Sequence, residues 1–237
     1  MENMNIGHHI SRQFNEELED VRNQVLRMGG LVEQQIADAI KALVEGDCRL
    51  AEQVIENDRK VNGFEVMIDE ECTQILARRQ PAASDLRLVI AVIKTITDLE
   101  RIGDQAEKIA RMGIHLSEME RPKSQYYEVR SLGERVVKML HQTLDSFARM
   151  DVDAAVQVCE MDDVIDHEYD GIMRKMVTFM MEDPRAIKRS LDVIWSVRAL
   201  ERIGDHSKNI CEYVVYLVKG KDVRHTSTDY MKEAAQE

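Results

Sequence analysis

Apolar residues recur along this chain at steps of three and four over long stretches, and no run of strict alternation is long enough to make a strand. The pattern predicts six long helices, at roughly 9–45, 47–79, 84–118, 125–149, 151–182 and 185–219. Every proline falls at a break. Pro81 precedes Ser84, a good N-cap; Pro122 lies between the two halves; Asp183 caps with Pro184 in the first helical position. Gly46-Asp47 and Met150-Asp151 mark the same turn in each half. The third and sixth helices would each be about 50 Å long at 1.5 Å per residue. Helices of this length joined by short turns pack as antiparallel bundles. The expected fold is all-α, two tandem and similar three-helix bundles over 1–120 and 121–220. A polar tail over 221–237 is expected to fray.

One word occurs twice. Asp98-Leu99-Glu100-Arg101-Ile102-Gly103-Asp104 returns as Ala199-Leu200-Glu201-Arg202-Ile203-Gly204-Asp205, close to half a chain later, the mark of an internal duplication. Each copy sets a Glu and an Asp four apart, on one helical turn, where two anions repel unless a cation or a donor lies between them.

The third helix carries Leu86, Ile90, Ile93, Thr97, Glu100 and Asp104 on one line, stepping four, three, four, three and four. Glu100 and Asp104 thus continue an apolar seam, while Arg87, Lys94, Asp98, Arg101 and Gln105 share a different, wet face. The sixth helix repeats the seam with Ile187, Leu191, Ile194, Arg198, Glu201 and Asp205. There Arg198 replaces Thr97 and offers a cation to the acidic line. On the second helix Val54, Val61, Ile68, Cys72, Ile75 and Leu76 define an apolar arc, and Asp58, Asn62, Glu65 and Asp69 fall inside it. The fifth helix has Asp162 and Asp166 at the equivalent place, with Tyr169 and Met173 where Glu65 and Asp69 stand. Facing helices would gather Asp58, Asn62, Glu100 and Asp104 in one half, and Asp162, Asp166, Glu201 and Asp205 in the other. An oxygen-only set without cysteine suits divalent or iron-type ions: Mg²⁺, Mn²⁺, Ca²⁺, Fe or Zn²⁺. The competing reading is a solvated acidic groove paired with Arg101 and Arg202. Gly103 and Gly204, each costing about 1 kcal/mol relative to alanine inside a helix, indicate that a helix or a ligand approaches the backbone there.

Composition narrows the classes. A net charge of −12 argues against nucleic acid as a partner. Cys48, Cys72, Cys159 and Cys211 form no cluster and read as reduced, buried thiols of a cytoplasmic protein. The polar N-terminus has no apolar core of a signal peptide, and no apolar run is long enough to span a membrane. Met176, Met180 and Met181 around Phe179 read as core fillers, His8-His9 as an exposed terminal pair, and Arg78, Arg79 and Arg87 as solvated helix ends. His206 points about 100° away from Asp205. There is no GxSxG, no Gly-rich phosphate loop and no Glu-x-x-His of the di-iron bundles. An enzyme is therefore not expected; a carboxylate-bound metal store or metalloenzyme is the alternative.

The paired words, Arg78-Arg79-Gln80-Pro81, Ser84-Asp85-Leu86-Arg87, Phe147-Ala148-Arg149-Met150-Asp151, Met180-Met181-Glu182-Asp183 and Asn209-Ile210-Cys211-Glu212 closely resemble the PhoU family of bacterial phosphate-signalling regulators, from about His9 to His225. The resemblance implies two three-helix bundles and a metal motif Glu/Asp-x-x-x-Asp, matched here by Glu100/Asp104, Glu201/Asp205 and Asp162/Asp166. Asp58/Asn62 matches imperfectly, because Asn62 brings an oxygen without charge. It also implies a non-catalytic adaptor between the ATPase subunit of the phosphate ABC transporter and the phosphate-sensor histidine kinase. Such an adaptor represses starvation genes and limits uptake when phosphate is plentiful. A homodimer that meets the membrane only through its protein partners is the expected assembly.

Overall fold

The computed structural model describes residues 12–119 and 123–236; His8, His9 and Pro122 lie outside them. Six long helices follow in order: α1 (Arg12–Glu45), α2 (Cys48–Arg79), α3 (Ala83–Ser117), α4 (Lys123–Arg149), α5 (Val152–Glu182) and α6 (Ile187–Lys219). A 3-10 turn, Pro184–Ala186, leads into α6, and a short α7 (Thr228–Gln236) ends the chain. Among the described residues there is no strand.

The repeated turns work by the same chemistry. The Asp47 side chain accepts from Leu50 N at 3.1 Å and the Asp151 side chain from Ala154 N at 3.0 Å, so each carboxylate satisfies an orphan amide at a helix start. The residues before them, Gly46 and Met150, both take positive φ. Asp183 caps the 3-10 turn through Arg185 N, with Pro184 in its first position. Ser84 is not a cap: α3 begins at Ala83, and its N-cap is Ala82, without a side-chain bond.

α1 packs on α3 and α4, and α6 packs on the same two helices. These four make a central layer of one continuous core. α2 covers α1 and α3; α5 covers α4 and α6. The halves meet as near-copies. A Cβ on Gly29 would lie 2.5 Å from Leu144 Cδ2, and one on Gly133 would lie 2.7 Å from Ile40 Cδ1. Moving 104 positions along the chain carries Gly29 onto Gly133 and Ile40 onto Leu144. Each half therefore drops one branched side chain into a hole that only glycine leaves open.

Other expectations fail as well. The C-terminal tail does not fray. Val223, Met231, Ala234 and Ala235 are buried, α7 packs on α5 and α6, and Lys232 pairs with Glu160. The charged face of α3 is not wet. Asp98 and Gln105 are buried in the α3–α6 contact, because the second half covers a face that α1 and α2 leave open. Asp98, 2 % exposed, accepts from His206 Nδ1 at 2.7 Å, Tyr213 Oη at 2.8 Å and Asn209 Nδ2 at 3.2 Å. Lys94 lies 5.5 and 5.6 Å over the rings of Tyr213 and Tyr216, and Arg87 donates to Leu217 O. The arginines at the α2 end are not all solvated either: Arg79 grips Glu17 of α1 by a two-bond fork at 2.9 and 2.5 Å. Of the methionines, Met176 is core and Met181 is exposed; of the cysteines, Cys72, Cys159 and Cys211 are buried and Cys48 is half-buried.

Candidate functional site: two carboxylate clusters

Both seams run along a half-open margin and not along the buried side of their helices. Leu86, Ile187 and Leu191 are exposed; Glu100, Asp104 and Glu201 are half-buried; Asp166 and Asp205 lie at the rim. The fully covered faces belong to other residues, such as Leu88, Val92, Ile96 and Leu99 on α3. The two aspartates of the covering helices are the deep members: Asp58 is 8 % exposed and Asp162 3 %.

The glycine in each word explains how those aspartates fit. A Cβ on Gly103 would sit 3.3 Å from Asp58 Oδ1, and one on Gly204 would sit 3.2 Å from Asp162 Oδ1. The approach to the helix backbone is thus made by a carboxylate from the neighbouring helix, once in each half.

In the first cluster neutral donors meet the buried charge. Gln35 Nε2 donates to Asp58 Oδ1 and Asn62 Nδ2 to Asp58 Oδ2, both at 3.2 Å. Burial nevertheless raises the Asp58 carboxyl above its ordinary range, the Gln35 bond opposes this, and Glu107 and Asp104 push it further up. Glu100 is raised by burial, then by Asp104, Glu65 and Asp58. Glu65 is raised by burial and by Asp69, and Arg101 pulls it back. Asp58, Glu65, Glu100 and Asp104 therefore form one mutually repelling set, as Asp58, Glu100 and Asp104 were expected to. Asn62 joins it, though its amide nitrogen, and not its oxygen, faces Asp58.

In the second cluster a cation is built in. Lys208 Nζ lies 2.8 Å from Asp162 Oδ2. Burial raises Asp166, with Asp162 and Asp205 adding to it and Lys208 opposing; Asp205 is raised by burial and by Asp162. Glu201 is raised by burial, Asp205 and Asp166, and held back by Arg198 and Arg202. Arg198 does moderate the acidic line as expected, but it is exposed, and the ion pair to the buried member belongs to Lys208.

The donor chemistry of the first cluster fits a hard cation. Besides its carboxylates it holds two buried oxygens without a donor, Gln35 Oε1 and Asn62 Oδ1. Among the described residues no three acidic, His or Cys side chains already converge on one point, so closing on an ion would take rotation of the half-buried Glu65, Glu100 or Asp104. The second cluster fits less well, because Lys208 occupies part of that role, although Asp162 Oδ1 has no partner.

The family model described as PhoU domain matches residues 25–112 and again 129–214, one match in each half. The chain is 55% identical over 231 residues to the phosphate-specific transport system accessory protein PhoU homolog of Pseudomonas aeruginosa, covering 98% of this chain and 96% of that protein. It is 50% identical over 230 residues to the phosphate-specific transport system accessory protein PhoU of Escherichia coli K12, covering 97% and 95%. The crystal structure of PhoU from Pseudomonas aeruginosa superposes with a TM-score of 0.86 at 56% identity, over 88% of this chain and 100% of that one. The phosphate transport system regulatory protein PhoU from Streptococcus pneumoniae follows at 0.82 and 31%, over 89% and 99%.

Proposed function

Since the chain belongs to the PhoU family, we propose that it is a regulator, and not a catalyst, that restrains phosphate uptake and phosphate-starvation signalling. The observation that carries this reading is end-to-end likeness to proteins named as accessory to the phosphate-specific transport system. In this reading the protein acts in the cytoplasm as a homodimer. It bridges the ATPase subunit of the phosphate transporter and the phosphate-sensor histidine kinase, and holds the kinase in its repressing state when phosphate is abundant. No helix among the described residues is long and apolar enough to cross a membrane, so contact with the membrane would run through those partners.

The metal belongs to the same proposal. Asp58, Glu100 and Asp104, with Glu65 and the oxygens of Gln35 and Asn62, would hold an ion in the first half. Asp162, Asp166, Glu201 and Asp205 would hold one in the second. A bound cation there supplies charge neutralisation. The protein's own part is to fix the distance between α2 and α3, and between α5 and α6, by drawing opposed carboxylates together.

The test has two arms. Deleting the gene should raise starvation-gene expression in phosphate-rich medium, and unchanged expression removes the regulatory reading. Native purification of wild type and the Glu100→Ala/Asp104→Ala variant, followed by elemental analysis, addresses the metal separately. Equal metal in both would take the ligand role from these two residues while leaving the regulator standing.

A further inference from the structure

An open groove of about 740 Å³ lies between α3 and α6, on the seam of the two halves and bordering the first carboxylate cluster at Asp104. Its walls carry Arg101 and Lys108 from α3 and Arg198 and Arg202 from α6, with His206 on its lining and Trp195 beside the arginines. Four permanent cations on one groove stand out in a chain of net charge −12. Among the described residues none of the four makes an ion pair; Arg101, Arg198 and Arg202 only moderate the neighbouring carboxylates at longer range. Asp104 and Asp192 also line the groove, and the cations outnumber them.

Two further observations point to a ligand. His206 is 5 % exposed, its Nδ1 is held by Asp98, and its Nε2 has no partner. With Nδ1–H donating to Asp98, that nitrogen is an unfilled acceptor, which suits a hydroxyl or amino donor such as a nucleoside carries and not a phosphate oxygen. Trp195 is 56 % exposed, although an indole this large normally finds cover.

Spacing selects the chemistry. Arg198 and Arg202 stand one helical turn apart, and Arg101 and Lys108 two turns apart, so the cations form two facing rows about 6–10 Å long. A single phosphate would engage one end of such rows. A linear polyphosphate matches their length, and guanidinium forks match its oxygens. Trp195 lies one turn before Arg198 and offers a flat apolar plate of the kind on which bases stack. The volume falls within the range of small-molecule sites, about 300–1,000 Å³. We propose that the groove between α3 and α6 binds a nucleoside polyphosphate, with the phosphate chain on Arg101, Lys108, Arg198 and Arg202 and the base on Trp195.

Trp195 is the chain's one tryptophan, so its fluorescence reports on the groove directly. The full chain, stripped of metal and kept in EDTA so that the Asp104 cluster cannot bridge to phosphate, is titrated with ATP, tripolyphosphate and adenosine, and calorimetry is run alongside. ATP should give a saturable change, tripolyphosphate should bind several-fold more weakly, and adenosine should not bind. Arg198→Ala with Arg202→Ala should weaken ATP by at least about tenfold with the helical circular dichroism intact. Lys41→Ala, in a groove between α1 and α4, should change nothing. Trp195→Ala, followed by calorimetry, should erase the preference for ATP over tripolyphosphate. No saturable binding of ATP at millimolar concentration, or undiminished binding by the double arginine variant, overturns the site. Equal affinity for ATP and tripolyphosphate in wild type overturns the nucleoside part, and binding of an acidic helical peptide where ATP fails would reassign the groove to a protein partner.

Discussion

The two carboxylate clusters occupy the same place in the two halves and solve the same electrostatic problem in opposite ways. One step beyond the acidic pair, the first half has Glu107 and the second Lys208; four residues further on stand Arg111 and Glu212. The order of the two charges is therefore reversed. In the first half Glu107 bonds to Arg111 on the outside, and its charge adds to the burden on Asp58. In the second, Lys208 turns inward to Asp162. Glu212 is left half-buried, and burial first of all pushes its carboxyl up to about 7. A buried aspartate against a helix glycine can thus be tolerated with an internal lysine, or with two amides and room for an ion. If an ion is held as proposed, the second way leaves more uncompensated charge for it.

Removing the lysine should produce the largest effect. Lys208→Met strands Asp162 as a buried charge without its cation. Breaking such a pair costs about 3–5 kcal/mol when both partners are deep. The Lys208 side chain is 32% exposed, so about 2–3 kcal/mol is expected near neutral pH. Chemical denaturation of Lys208→Met and of Lys208→Met/Asp162→Asn checks this. The double variant should recover most of the loss, and equal instability of both would mean that packing, and not charge, was removed.

Adding Mn²⁺ or Mg²⁺ comes next. A ligand at a hundred times its dissociation constant stabilises by about 2.7 kcal/mol, worth about 5–10 °C in a chain of this size. Glu100→Gln with Asp104→Asn should abolish most of that rise and begin from a more stable metal-free protein, since two repelling anions are gone. Glu201→Gln with Asp205→Asn should abolish less, because Lys208 limits what an ion gains there. A thermal scan with and without metal decides the order, and a larger loss from the second pair would reverse the comparison.

Glu212 sharpens the same contrast through pH. Its folded value of about 7 lies above the ordinary 4.5, so the native state holds a proton that the unfolded chain has released. Stability through this group therefore falls as pH rises from about 4.5 to about 7 and is lowest above that. Glu212→Gln should flatten that slope and stabilise the protein at pH 8 by about 1–2 kcal/mol, reduced from the full shift by solvent screening. Denaturation midpoints at pH 5 and pH 8 give the answer; an equal change at both pH values would point to a packing effect.

Much of this was legible in the pattern alone. The six helices, their turns and the duplication follow from apolar spacing and from Asp47, Asp151 and Asp183, whose chemistry acts on their own neighbours in the chain. The seam is a line, but it follows a half-open margin and not the packed side that its apolar residues suggest, and it extends one step beyond Asp104 and Asp205. The four-and-three rhythm that ends at Asp104 and Asp205 continues to Glu107 and Lys208, the residues that set the halves apart. Gln35 had no such signal, because it reaches Asp58 from another helix. Asp98 was misplaced for a related reason. A helical wheel locates a residue relative to its own helix, and the cover over Asp98 comes from α6 in the other half. The one hint was that its counterpart in the second word is Ala199, so whatever Asp98 does is done once. α7 was hidden by its polar composition, since its few apolar residues, Met231, Ala234 and Ala235, gain burial only against α5 and α6.

The smallest expected effect is the most direct test of the comparison, because it converts one half into the other. Glu107→Lys places a cation at the position that Lys208 occupies, two turns from Glu100 and three residues beyond Asp104. It deletes an exposed pair with Arg111 that is worth about 0.3–0.5 kcal/mol and replaces repulsion on Asp58 with attraction. The metal-free protein should become more stable by about 0.5–1 kcal/mol, and its response to added Mn²⁺ should shrink toward that of the second cluster. The two readouts move in opposite directions only if the lysine and the ion compete for the same negative charge. A stabilised variant that kept its full metal response would show that Lys208 and a bound cation answer to different carboxylates, and the two halves would then differ in more than the order of two charges.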